Sequence, residues 1–208
     1  MDAKRLALLH ELVPKALRVA VLLNPSTPAT SETTLQQVQE AARAIGLQLQ
    51  VLYASTSREI DAAFATFGRE WPDALFVSAA NFFSNRRVQL AVLAGRERPD
   101  ALFITGDAFF GSRLVQLANL AVRDRIPTAY AAREYVAVGG LMSYGANLAD
   151  AFHQVGVYTG SILKGAMPAD LPVVQATKFE FVINLQTARI IGLDVPPSLF
   201  ALADELIQ

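Results

Sequence analysis

A chain of 208 residues, 52% hydrophobic and only 18% charged, holds enough apolar side chain for a buried core and too little charge to stay disordered. Its 18 basic and 19 acidic residues leave a net charge of −1, which excludes the basic footprint of a nucleic-acid binder. With no cysteine, disulfides, thiolate metal sites and cysteine nucleophiles are excluded as well, and no apolar run approaches the ~18 residues that span a bilayer.

Predicted elements alternate along the chain. Residues 4–13 read as a short amphipathic helix closed by Pro14. Charges interrupt this stretch throughout, so it has no signal-peptide core and the chain as written reads as cytoplasmic. Residues 17–23 are a nearly continuous apolar run ending at Asn24-Pro25, the pattern of a parallel strand covered on both faces. Ser31 is placed to cap the next helix, in which Leu35, Val38, Ala42 and Ile45 recur at spacings of three and four before Gly46. Residues 47–53 form a second strand. Thr56-Ser57-Arg58-Glu59 is a capping box, followed by Ile60, Phe64 and Phe67 on one helix face. Residues 73–78 are a third strand. This order predicts an α/β domain, a parallel sheet with helices on both faces.

A tandem repeat follows. Pro72–Arg98 aligns with Pro99–Arg125 without a gap, and 16 of 27 positions are identical. Each copy reads as one strand and one helix, with Ala74–Ser78 and Ala101–Thr105 as parallel strands of one sheet. Two copies are too few for a solenoid, which needs about three or more stacked units. Beyond the repeat come a short strand at 126–130, a helical turn at 132–137, a strand from Leu141 to Tyr144 and a long helix at 148–164. The segment 168–172 reads as a linker. Residues 178–184 alternate like a strand with one wet face, and helices at 185–192 and 197–206 complete the chain.

Neither a nucleotide-binding glycine motif, nor a metal-ligand motif, nor a nucleophile elbow is present. The sequence predicts no cofactor and no metal; its Asp and Glu residues are plentiful enough for a paired-carboxylate hydrolase, although most fall on helix surfaces, where solvation is the ordinary explanation. His10 and His153 lie on separate helices and read as structural. Polar residues instead follow the strands, where open parallel sheets bind ligands. These are Asn24, Ser26 and Thr27 after the first strand, Ser55 and Thr56 after the second, Ser78 and Asn81 after the third, and Thr105, Gly106 and Asp107 after the second repeat strand. Such residues suit either a polar ligand at helix N-termini or capping alone. Phe82-Phe83 and Phe109-Phe110 serve either to stack on a ligand or, as the commoner use, to pack helix on sheet. Arg133-Glu134 either binds a zwitterion or pairs with neighbouring charges.

Several ordered motifs carry a family resemblance. They include Glu11-Leu12-Val13-Pro14, Arg18 through Pro25, Ala54-Ser55-Thr56, and Gly139-Gly140-Leu141-Met142-Ser143-Tyr144-Gly145. Ile162-Leu163-Lys164-Gly165-Ala166, Thr177-Lys178-Phe179-Glu180 and Pro196-Pro197-Ser198-Leu199 extend the series. Together they make the chain resemble the substrate-binding proteins of ABC transporters of the TrpX-like, ABC_sub_bind type, over essentially its whole length.

The resemblance implies one lobe of a type I periplasmic-binding-protein-like fold plus a remnant of the other. Residues 14–130 and 176–208 would form the second lobe, and residues 131–175 would cross toward a first lobe that is mostly missing. The family has one βα unit where this chain has two. The implied role is the solute-binding component of an ABC importer, periplasmic or lipid-anchored, which carries out no catalysis but closes on a small molecule such as an amino acid and delivers it to an ABC permease. Candidate ligand contacts carried over by motif are Asn24, Ser55, Asp107, Ser143 and Tyr144. A cytosolic sensor domain, or a small α/β enzyme using Asp107 or Glu134, are the alternative readings. Apolar residues across 140–163 predict an exposed face and self-association.

Overall fold

In the computed structural model the residues described are 2–67, 72–78, 80–97, 99–104 and 112–208. The first half runs α1 (Asp2–Leu12), β1 (Arg18–Leu23), α2 (Pro28–Ile45), β2 (Gln48–Tyr53), α3 (Ser57–Ala65), β3 (Ala74–Val77), α4 (Asn81–Asn85), α5 (Arg87–Glu97) and β4 (Ala101–Ile104). The second half runs α6 (Leu114–Arg123), β5 (Thr128–Tyr130), α7 (Arg133–Ala137), β6 (Met142–Ala146), α8 (Leu148–Leu163), β7 (Phe179–Asn184), α9 (Leu185–Ile191), α10 (Pro197–Leu202) and β8 (Glu205–Ile207).

All the described strands join one sheet in the order β2-β1-β3-β4-β5-β6-β7-β8. Neighbours from β2 to β6 are parallel, β6 and β7 are antiparallel, and β7 and β8 are parallel. Side chains alternate across the strands, so each strand feeds two cores. On one face Val19, Val21, Leu23, Phe76, Phe103, Met142 and Ile183 pack with Leu6, Leu8, Leu9 and Leu12 of α1 and with Val38 and Ala42 of α2. On the other, Ala20, Leu22, Leu75 and Val77 pack with Ile60 and Phe64 of α3, Phe83 of α4 and Leu90 of α5. Burial of one such side chain is worth about 1.5–3 kcal/mol, so two apolar faces make the sheet the centre of stability. The expected sheet sandwiched by helices is what the structure shows, parallel throughout except where β7 runs against β6.

Both repeat copies form βα units. Their strands lie side by side with Ala74 opposite Ala101, Leu75 opposite Leu102, Phe76 opposite Phe103 and Val77 opposite Ile104. Every pair therefore joins equivalent positions of the two copies. The Phe82-Phe83 pair packs helix on sheet as its chemistry favours: Phe83 is fully buried, and Phe82 meets it edge-on at 5.4 Å.

Four expectations need correction. Ser31 does not cap α2: the helix starts earlier, at Pro28 with Thr27 before it, because proline suits the first turn. The Ser31 hydroxyl donates instead to the Asn24 carbonyl at 2.7 Å. The strand 179–184 is not wet along one face. Its inner residues Phe181 to Asn184 are buried, since β7 is an interior strand and Asn184 donates to the Val136 carbonyl. The last helix ends at Leu202, and residues 205–207 add a short strand instead, aligned by an exchange in which Asp204 N–H donates to the Phe181 carbonyl and the Asp204 carboxylate accepts from Phe181 N–H. Finally, Leu141 and Met142 are buried, because β6 lies between β5 and β7. Within 140–163 the exposed large apolar residues lie on α8, among them Phe152, Val155 and Leu163, and Val173 beyond it is exposed too.

Candidate functional site

The carboxyl ends of β1 to β6 share one edge of the sheet, and the sequence-predicted residues distribute along it. Asn24 follows β1. Its side-chain oxygen accepts from Ser26 N–H at 2.9 Å, and its carbonyl accepts from Thr27 N–H at 3.2 Å, which builds the turn into α2. Ser55 follows β2. Its N–H and hydroxyl both donate to the Glu59 carboxylate, at 2.7 and 2.9 Å, while Glu59 N–H donates to the Thr56 hydroxyl. These bonds, the Ser55 N–H first, hold the Glu59 carboxyl below its ordinary range. The capping box expected from the sequence is therefore formed, and it engages Ser55.

Ser78 follows β3, is buried, and has a hydroxyl without a hydrogen-bond partner among the described residues. Asp107, with Thr105, Gly106, Phe109 and Phe110, lies outside the described residues. Ser143 is wholly buried within β6, opposite Tyr130 and Val182, and its hydroxyl also has no partner among the described residues. Tyr144 is half-buried at the edge, its ring stacked on Phe179 with centroids 6.0 Å apart. Strand order keeps these groups apart. Three strands, β3, β4 and β5, separate β1 with Asn24 from β6 with Ser143 and Tyr144.

One residue at this edge escapes the motif-based reading. Arg5 of α1 is only 5% exposed. Its Nε donates to the Tyr144 carbonyl, its Nη2 reaches the Ala131 carbonyl at 3.5 Å, and its guanidinium lies 5.9 Å from the Phe103 ring centroid. The signal was present: Arg5, Leu8, Leu9 and Leu12 share the i, i+3, i+4, i+7 spacing of a buried helix face. At the same corner Gly145 passes so close to Ala131 that a Cβ would sit 1.9 Å from its carbonyl oxygen. Backbone contact and a buried cation thus fix where the chain leaves β5 and β6.

Of the remaining charged candidates, Arg133 pairs with a neighbouring charge. Arg133 makes a two-pronged bond to Glu205 at 2.8 and 2.6 Å, which raises the guanidinium and lowers the carboxyl. Glu134 is exposed in the first turn of α7. Tyr130, fully buried and stacked on Tyr135 at 4.7 Å, is pushed up by burial and is a poor proton donor. No cluster of three metal-ligating side chains occurs among the described residues, and no described helix is long and apolar enough to cross a membrane.

No curated protein matches this chain. Solved structures do. A conserved domain protein from Vibrio cholerae O1 biovar El Tor superposes with a TM-score of 0.66 at 21% identity, covering 98% of this chain and 59% of that one. The ABC domain from Streptococcus pneumoniae, solved in complex with L-Trp, gives 0.66 at 22% identity, covering 99% and 60%. The ligand-free, open structure of a substrate binding protein with adhesive properties from Clostridium difficile gives 0.55 at 20% identity, covering 99% and 59%. The chain thus shares their fold and spans about 60% of their length. Residues 73–207, from the start of β3 to the end of β8, match the family described as ABC transporter substrate binding protein, and the chain belongs to that family.

Proposed function

We propose that this chain is the larger part of the solute-binding component of an ABC importer. It takes a small molecule, such as an amino acid, against the carboxyl edge of its sheet and presents it to a permease outside the cytoplasm. The observation that carries this reading is the family match over 73–207 on a sheet whose carboxyl edge carries uncharged polar groups and an aromatic ring. The likeness to a domain solved with L-Trp points the same way.

Residues 14–130 and 176–208 serve as one lobe in this reading, and residues 131–175 lead toward a second. In the segment's first part β6 lies within the sheet and α7 packs against it. Its second part, α8, buries none of its residues and is the piece that reaches across. Closure of two lobes around the ligand is the mechanism, with hinges at the crossovers. Asn24, Ser55, Asp107, Ser143 and Tyr144 are the proposed contacts.

An amide-resolved NMR titration with L-tryptophan and other free amino acids tests this. Small-molecule sites commonly enclose 70–90% of the ligand surface, so one lobe alone binds weakly, in the millimolar range. At least one of Asn24→Ala and Tyr144→Ala weakens that binding further. Sub-micromolar affinity for the isolated 208-residue chain would overturn the two-lobed reading. Unperturbed amides along the whole edge, at saturating ligand, would overturn solute binding itself.

A further inference from the structure

The duplicated unit changes the dimensions of the proposed site. Two copies identical at 16 of 27 positions descend from one, so the sheet once had a single strand where β3 and β4 now stand. The present register shows what a single copy would do. β4 places Leu102 opposite Thr128 and Phe103 opposite Ala129 of β5, and the first copy carries the same two residue types as Leu75 and Phe76, one repeat earlier and in register with them. A single copy would therefore join β1 to β5 directly, with the same side chains against each neighbour.

Inserting the second strand moves β5 and everything beyond it one strand spacing away from β1, about 4.8 Å. Asn24 and Ser78 lie on one side of the insertion, Ala131 and Tyr144 on the other. The span from β1 to β6 grows from three spacings to four, from about 14 to about 19 Å. Neither side can drift back, because the Phe76 and Phe103 rings stack at 4.6 Å and Arg5 ties the far side to α1.

We propose that the duplication lengthens the ligand site across the strands, so that this chain takes a solute longer than a free amino acid. That solute is an amino acid extended by one or two peptide units, each of which adds about 3.3–3.6 Å. The inference rests on the solute-binding reading above. The described side chains proposed as contacts, Asn24, Ser55, Ser143 and Tyr144, are an amide, hydroxyls and an aromatic ring, and Asp107, the fifth, is an acid; this set suits a peptide with its amino group rather than a phosphate or a polyanion.

The test compares the 208-residue chain with a version lacking residues 99–125, which joins the first copy directly to Ile126. The probes are L-tryptophan and the tripeptide tryptophyl-glycyl-glycine. Amide shifts are read at Asn24 and Ser78 on one side and at Ala131 and Tyr144 on the other. On the intact chain the tripeptide moves both sides, whereas L-tryptophan moves one. On the shortened chain L-tryptophan moves both, and the ratio of the two affinities shifts at least tenfold toward it.

Equal patterns for the two probes on the intact chain, or an affinity ratio unchanged by excision, overturn the lengthened site while leaving solute binding standing. No shift at any of the four positions with either probe overturns the solute-binding reading itself. If the 99–125 excision does not fold, removal of 78–104, which joins Val77 to Thr105, gives the same single-copy sheet and is read at Asn24, Ala131 and Tyr144. Failure of both excisions to fold, against an intact chain that folds, overturns the claim that one copy joins β1 to β5.

Discussion

The rings of Phe76 and Phe103, equivalent residues of the two repeat copies, lie 4.6 Å apart and within 7° of parallel. Both are buried, and both sit on adjacent strands against α1. The contact exists because the repeat period and the sheet register coincide. Each residue of β3 meets its own counterpart on β4.

Truncation of either ring is therefore costly. Phe76→Ala and Phe103→Ala each lower stability by about 3–5 kcal/mol. The double variant loses less than the sum, by about 0.5–1.5 kcal/mol, because the stacking term is counted in both single losses. Urea unfolding of the three variants measures this. Strict additivity would mean that the two rings do not support one another.

Two glycines predict opposite outcomes. A Cβ on Gly145 would sit 1.9 Å from the Ala131 carbonyl oxygen, so Gly145→Ala forces β5 and β6 apart and destabilises by more than about 2 kcal/mol. Gly156 lies within α8 and a Cβ there meets nothing within 4 Å. Gly156→Ala removes a flexible helix position and stabilises by roughly 0.5–1 kcal/mol. Thermal melts of the pair check both signs.

Acid sensitivity has a definite source at the opposite end of the sheet. Burial pushes the Asp73 carboxyl up, but the Arg18 guanidinium at 3.0 Å and the N–H groups of Arg18 and Leu17 at 2.8 and 3.0 Å outweigh it and hold it below its ordinary value. A carboxyl depressed in the folded state contributes stability above its unfolded pKa, near 4, and that contribution is lost as pH falls through the folded pKa. Asp73→Asn therefore lowers stability at pH 7 by about 1 kcal/mol, allowing for solvent screening, and flattens the acid limb below pH 4. An unchanged acid limb would rule Asp73 out as its source.

The surface of α8 predicts self-association. Phe152 is 72% exposed and Leu163 83%, and Val155, Val157 and Ile162 are exposed with them, a concentration rarely left bare on a monomer. Light scattering at micromolar concentration should show species larger than a monomer, and Phe152→Asp should reduce them. A monomeric chain with no response to Phe152→Asp would show that this face needs no cover.

Much of the fold was legible from periodicity. The apolar runs of β1 and β3, the alternation of helix and strand, and the matched repeat all announce a parallel sheet before any coordinate is seen. Two of the errors share one cause. Leu141, Met142 and Val182 are buried by the neighbours of their strands in the sheet, and those neighbours are set by strand order, which no local pattern records. β8 was missed because three residues leave no alternation to read. At the edge, Thr56 and Glu59 were legible since a capping box is local, whereas the bonds from Arg5 to Tyr144 and Ala131 join distant parts of the chain. Arg5 shows that a lone charge on an otherwise apolar helix face is a signal worth following.

The matched strands also pose a problem during folding. Pro-Asp-Ala-Leu-Phe opens both copies, so either segment offers β1 the same side chains, including an aspartate able to receive Arg18. Local chemistry hardly distinguishes the native arrangement from one in which the copies trade places. Chirality does. The helices linking β3, β4 and β5 pack on the same face as α3, and exchanging the two strands would turn the link between them into a left-handed crossover, an arrangement almost never seen. The two copies find their places by the hand of their connection, and a competing trapped form during refolding is the hazard that two such similar strands bring.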